Sequence, residues 1–190
     1  MGGMTSHSWQ GRVFIACSLD GFIARTDGNL DWLTDPPHDD GHAPGHQGRT
    51  PPPDYEEFMA GIDHMVIGRG TYEKVLTFGG WPYAEQHVIA LGSTLPRGAD
   101  SRVTVAHSVE EVLQTLEGRG ARAVYLDGGQ VIQEFLRRGL VDEMVITTAP
   151  VLIGAGIPLF GSLGVDVRLT HLGTSYGDSG MTSSRYRVTR

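Results

Sequence analysis

Two short segments combine glycine with groups that hold anions. Gly68-Arg69-Gly70-Thr71-Tyr72 stands where the apolar run His64-Met65-Val66-Ile67 gives way to a helical pattern. A helix start exposes unpaired N–H groups and a partial positive charge, which suits phosphate. Glycine allows close backbone approach, Thr71 adds a hydroxyl, and Arg69 can grip a phosphate through two parallel hydrogen bonds. Asp127-Gly128-Gly129-Gln130-Val131 repeats the arrangement after the strand pattern of residues 121–126. Neither segment is a GxGxxG fingerprint, so a standard Rossmann dinucleotide site is not supported. Either segment alone is equally a plain turn between strand and helix. Two of them in one chain are more informative, because ligands of open α/β sheets bind at the carboxyl ends of strands.

Acid chemistry has three candidates. Asp54 precedes a helical pattern with Glu57 three residues on, a capping-box arrangement. The same carboxyl could deliver a proton to a bound substrate. Asp31, next to Trp32, and Glu57 stand behind it. Trp32, Phe58 and Tyr83 are candidate pocket walls, and Asp20 of the Ser18-Leu19-Asp20-Gly21 turn is a candidate substrate contact. His38, His42 and His46 recur every four residues, which on a helix would place three imidazoles on one face. The glycines and prolines of residues 34–53 disfavour that helix, so no metal is expected and the segment reads as a long loop. Cys17 is the only cysteine and lies in an apolar run, where a packed thiol is expected. A zinc deaminase, which needs a later Pro-Cys-x-x-Cys, is excluded.

These groups need a scaffold, and 190 residues suit one domain. Residues 1–10 read as a flexible N-terminus and 11–190 as the domain. With 39% hydrophobic and 19% charged residues the chain reads as globular. The formal net charge of −7, without a basic block, argues against nucleic acid as a partner. No apolar run approaches the ~20 residues of a membrane helix. No signal-peptide pattern is visible, and a reducing cytoplasm is the expected setting. Strands are expected at residues 12–17, 64–68, 87–91, 102–106 and 121–126. Helices are expected from Asp54, over residues 70–78, from Ser108 to about Glu117 and over residues 130–138. Residues 142–153, 166–173 and 181–189 then read as strands with no helix between them. Alternating strands and helices predict a mainly parallel sheet, and the closing run predicts antiparallel strands at one edge.

Taken in order, these segments resemble the dihydrofolate-reductase-like fold, in particular the riboflavin-biosynthesis branch typified by the RibD C-terminal domain. Residues 13–24 look like that group's first strand and Ser-Leu-Asp-Gly turn. Gly68-Arg69-Gly70-Thr71-Tyr72 is similar to its Gly-Arg-x-Thr-aromatic segment. Leu91-Gly92-Ser93 with Arg102-Val103-Thr104-Val105 looks like the part that holds the adenosine end of a cofactor. Asp127-Gly128-Gly129-Gln130-Val131 with Glu134-Phe135-Leu136 resembles its Gly-Gly helix, and residues 140–160 its closing strand.

The resemblance implies an α/β, dihydrofolate-reductase-like single domain that uses NADPH. It implies hydride transfer to a C=N or C=O bond of a small pterin-, folate- or pyrimidine-like heterocycle, and a homodimer. By position, Ala16 and Ile23 would line the nicotinamide site. Gly68, Arg69, Gly70 and Thr71, with Leu91, Gly92 and Ser93, would hold the 2′-phosphate and adenosine side. Asp127, Gly128, Gly129, Gln130 and Val131 would form the pyrophosphate segment. Asp54 matches the acid of the family's first helix, with Phe58 one turn on. Phe22 stands where riboflavin-type reductases often carry lysine, and a phenyl ring cannot serve a phosphorylated substrate as an ammonium does. The rival expectation is a non-catalytic nucleotide-binding protein that keeps the fold.

Overall fold

The computed structural model describes residues 7–34, 53–177 and 180–189. In chain order the elements are β1 (Gln10–Ser18), β2 (Phe22–Ala24), α1 (Asp31–Thr34), α2 (Tyr55–Ala60), β3 (His64–Gly68) and α3 (Arg69–Val75). There follow β4 (His87–Leu91), β5 (Val103–Ala106), α4 (Val109–Gly118), β6 (Ala123–Asp127) and α5 (Gly129–Arg137). The chain closes with β7 (Glu143–Ala149), β8 (Ile157–Pro158), β9 (Arg168–Tyr176) and β10 (Thr182–Thr189). Eight strands form one sheet in the order β5-β4-β3-β6-β1-β7-β10-β9. The first six in that order are mutually parallel, whereas β10 runs antiparallel to both β7 and β9. The mainly parallel sheet with an antiparallel C-terminal edge is the arrangement the strand and helix order predicts.

Parallel strands need cover on both faces, and their sequences show it. Successive residues of β3 and β6 feed opposite cores. Val66, Val124 and Leu126 join the buried cluster under α4 and α5, while Met65, Ile67 and Tyr125 join the one under α2 and α3. Helix α4 buries Val109, Val112 and Leu116, one stripe at helical spacing, and α5 buries Val131, Ile132, Phe135 and Leu136. Each such side chain contributes about 1.5–3 kcal/mol of burial. The helix starts follow their caps. The Ser108 hydroxyl accepts from Glu111 N–H, and the Asp54 carboxylate accepts from Glu56 and Glu57 N–H.

Three expectations need correction. The N-terminus is not free up to residue 10: Trp9 is buried against Phe135, and Gln10 already pairs in β1. The strand expected over 142–153 ends at Ala149, because Pro150 offers no N–H and Val151 turns its carbonyl to Leu19 N–H. Beyond it, β8 forms a two-stranded ribbon with β2, which no local pattern announces. The helix expected over 70–78 starts at Arg69 and ends at Val75. His38, His42 and His46 lie outside the described residues.

Candidate active site at the carboxyl edge of the sheet

Sheet register assembles the site. β3 pairs with β6 so that Ile67 lies opposite Asp127, which brings Gly68 alongside Gly128. β3 pairs with β4 so that Gly68 lies opposite Leu91, which brings Arg69 alongside Gly92. The two glycine turns therefore touch. A Cβ on Gly128 would stand 2.7 Å from Thr71 Oγ1, and Gly128 has φ +96°, which only glycine adopts readily. A Cβ on Gly92 would stand 3.2 Å from Arg69 Cβ. One on Gly129 would stand 2.7 Å from Pro158 O and 3.3 Å from Ile23 Cδ1. Gly92, Arg69, Thr71, Gly128, Gly129 and Ile23 thus form a continuous line across the carboxyl ends of β4, β3 and β6 as far as the β2–β8 ribbon.

The start of α5 has no side-chain cap. Its N-cap Gly128 offers no side chain to the first N–H groups, whereas α2 and α4 are both capped by side-chain oxygens. Gln130 is exposed beside it and Val131 is buried below. Arg69 projects into solvent near Ser93; its Nη1 donates to Thr94 Oγ1 at 3.2 Å and its Nε lies 3.6 Å from Glu73. Thr94 carries no motif signal, and only the loop after β4 shows its link to Arg69. Gly70 is exposed at the first turn of α3, and Ala16 lies half-buried near the end of β1, opposite Thr147.

The acid candidates separate. Asp54 Oδ1 accepts at 2.7 Å from Glu56 N and at 3.4 Å from Glu57 N, so its carboxylate serves as a helix cap. Asp31 is gripped by Arg25 through bonds of 2.7 and 3.0 Å, which hold its carboxyl below the ordinary value. Asp20 accepts from Ser18 Oγ, Ile153 N and Gly154 N. Asp127 differs from all of these. It sits at the end of β6, where burial raises its carboxyl to about 6 against a partial offset from Gly128 N–H. Around it stand Tyr55, Tyr83 and Tyr125, whose hydroxyls are raised first by burial and then by the Asp127 charge. Phe58 packs edge-on against Tyr125, with ring centroids 5.2 Å apart, and at 5.0 Å from Phe14. Tyr125 Oη donates to Phe14 O at 2.7 Å. An aromatic wall with one carboxyl raised by burial therefore lies beside the glycine line. Trp32 is buried in α1, and among the described residues its Nε1 has no hydrogen-bond partner.

Elsewhere, a cavity of about 950 Å³ opens at the amino edge of the sheet, lined by Gln10, Arg12, Asp63, Gln86, Arg122 and one side of α2. Of the candidate site, only Tyr55 also lines it. There Asp63 accepts from the Arg122 and Ala123 N–H groups, and Arg12 lies 3.6 Å from Glu143. Among the described residues, no group of three or more His, Cys, Asp or Glu could hold a metal, and no helix is long and apolar enough to cross a membrane.

Comparison with known proteins bears on the family and the fold. The chain is similar to a protein of Shewanella sp. PV-4 described as a riboflavin biosynthesis protein, at 34% identity and a TM-score of 0.78, covering 95% of this chain and 99% of that one. It is 31% identical to the uncharacterized protein YwjB of Bacillus subtilis (strain 168), over 85% of this chain and 88% of that protein. The fold is also that of the Enterococcus faecalis dihydrofolate reductase solved with NADP(H), at 20% identity and a TM-score of 0.66, covering 95% and 97% of the two chains. The RibD C-terminal domain family matches residues 11–183, and the chain belongs to that family.

Proposed function

We propose that this protein is an NADPH-dependent reductase that transfers a hydride to a C=N or C=O bond of a small, flat heterocycle of the pterin, folate or pyrimidine kind. The observation that carries the proposal is the contact between the two glycine turns. Thr71 Oγ1 occupies the place a Gly128 side chain would need, leaving backbone N–H groups at the start of α5 as the nearest donors. Such a start suits a pyrophosphate, which brings its own negative charge to uncapped N–H groups. Arg69, with Thr94 and Ser93 beside it, supplies the cation that a 2′-phosphate requires. Ile23 and Ala16 would bound the nicotinamide end. Support from relatives is at the level of the family and of the fold shared with dihydrofolate reductase.

When bound, the reduced nicotinamide supplies the hydride. The protein's part is position and proton. Phe14, Tyr55, Phe58 and Tyr83 offer flat apolar walls to a ring system, and Asp127 keeps a proton at its carboxyl up to about pH 6. We assign Asp127 the proton delivery expected of Asp54 or Asp31, because those two carboxylates are held by a helix cap and an arginine. A homodimer and a cytoplasmic setting accompany this reading. Sedimentation and fractionation test them.

The deciding experiment is a titration with NADPH and with NADH of the wild type and of Arg69→Ala. The expected result is tight NADPH binding that falls about tenfold or more in the variant, with NADH affinity little changed, as loss of a charge-assisted phosphate contact dictates. Binding without oxidation of NADPH by pterins, pyrimidines or small carbonyl compounds would favour a non-catalytic nucleotide-binding protein. Absence of binding to either nucleotide would overturn the proposal.

A further inference from the structure

The segment from Val151 to Gly161 crosses the start of α5, and hydrogen bonds at both of its ends hold it there. Leu19 N–H donates to Val151 O at 2.8 Å, and Leu159 N–H to Gly21 O at 2.9 Å. Asp20 accepts from Gly154 N–H at 2.7 Å on one oxygen and from Ile153 N–H at 3.3 Å on the other. At the far end, Gln133 Nε2 on α5 donates to Pro158 O and Leu159 O at 3.3 and 3.1 Å. Between these ends, Phe22 and Ala24 pair with Pro158 and Ile157, and the Leu159 side chain is fully buried. The result is that Pro158 O and Ile23 stand directly over Gly129, the first residue of α5.

Resting on the reductase reading above, we propose that Asp20 and Gln133 are positioning residues. They form a clasp that holds segment 151–161 across the first turn of α5 and so fixes the wall against which the pyrophosphate and nicotinamide halves of the cofactor lie. Asp20 is well made for this. Its carboxylate is fed by the Ser18 hydroxyl at 2.5 Å as well as by the two backbone N–H groups, an arrangement that favours the ionised form. Ser18 also accepts from Phe22 N–H at 3.0 Å, so the same network sets the entry of β2, which carries Ile23. The segment the clasp holds would lie beside the part of the cofactor that NADPH and NADH share, whereas Arg69 lies at the far end of the line. The two elements therefore differ in what they discriminate.

That difference supplies the test. Asp20→Ala, Asp20→Asn and Gln133→Ala are compared with the wild type and Arg69→Ala for the Kd of NADPH and of NADH, for KM against kcat, and for hydrogen exchange at Ile153 and Gly154. Asp20→Ala is expected to weaken both nucleotides about equally, by about tenfold, as loss of charge-assisted bonds dictates. KM should rise by the same factor while kcat changes little, and exchange at Gly154 should quicken. Asp20→Asn, which can accept at one oxygen only, should fall between, and Gln133→Ala should follow Asp20→Ala in kind. If Asp20→Ala does not fold, Asp20→Asn and Gln133→Ala carry the same comparison. Faster exchange at Gly154 with unchanged affinity for both nucleotides would overturn the clasp alone. A drop in kcat at constant KM, or a loss confined to NADPH, would do so too. Failure of the wild type to bind either nucleotide would overturn the reductase reading, and the clasp's role in binding with it.

Discussion

Gly128→Ala tests whether the two glycine turns form one structure. Gly128 sits at φ +96° and ψ 137°, outside the regions open to an L side chain, and holding alanine there costs about 1–3 kcal/mol. The new methyl would also stand 2.7 Å from Thr71 Oγ1, an overlap that costs about a further 1–3 kcal/mol. Together these come to about 2–6 kcal/mol, a large share of the 5–15 kcal/mol that a domain of this kind holds in total. Thr71→Ala removes the hydroxyl. The next atoms, Gly68 N and Thr71 Cβ, both lie 3.9 Å from the added methyl, an ordinary contact. The double variant should then keep only the backbone strain. Urea unfolding of the wild type, both single variants and the double variant gives a complete cycle, with an expected coupling of about 1–3 kcal/mol in favour of the double variant. Additivity within about 0.5 kcal/mol would refute the contact. Nucleotide binding should be lost in Gly128→Ala and should not return in the double variant, because relieving the clash does not restore the backbone of the turn.

Asp127→Asn should change the pH dependence of stability. The folded carboxyl titrates near 6 and the unfolded one near 3.8, so the folded chain holds a proton that the unfolded chain has lost between those values. Stability should therefore fall as pH rises from about 4 to about 6 and level off above, by up to about 3 kcal/mol. Denaturation of Asp127→Asn at pH 4.5 and 7 should show that slope removed. A reductase using this proton should also lose kcat as pH rises through about 6, and an unchanged pH profile in the variant would refute the assignment. Asp54→Ala should cost about 1 kcal/mol through loss of the cap, a Tm decrease of about 2–4 °C, with little effect on rate. Asp54→Asn, which still caps, should be nearly silent; a collapse of kcat in it would return the proton to Asp54.

What could be read from the sequence was local. The glycines of residues 68–71 and 127–131 mark turns wherever the chain goes, and Ser108 and Asp54 mark helix starts, because a cap and its helix lie within a few residues. The alternation that feeds Met65 and Val66 to opposite cores comes from the two-residue period of a strand. By contrast, the chemistry of each candidate acid depends on partners far along the chain. Asp20 looks like a turn residue until residues 153 and 154 arrive to donate to it. Asp127 reads as the first residue of a glycine turn, and nothing nearby in the sequence shows that Tyr55 and Tyr83 will surround it.

Register explains how these distant groups become one site. Each parallel strand ends at the same edge, and the turns after β4, β3 and β6 meet as lateral neighbours. Gly68 meets Gly128 because Ile67 pairs with Asp127, and Arg69 meets Gly92 because Gly68 pairs with Leu91. A shift of one residue in either pairing would turn every side chain of that strand to the other face. Asp127 would then leave the tyrosines of the α2 face and enter the apolar cluster beneath α5. The burial of Val124 and Leu126 under α5, which stabilises that strand, is thus the same fact that turns Asp127 toward the aromatic wall. The core under α5 needs no ligand to justify it, yet it sets which groups a ligand at the carboxyl edge would meet.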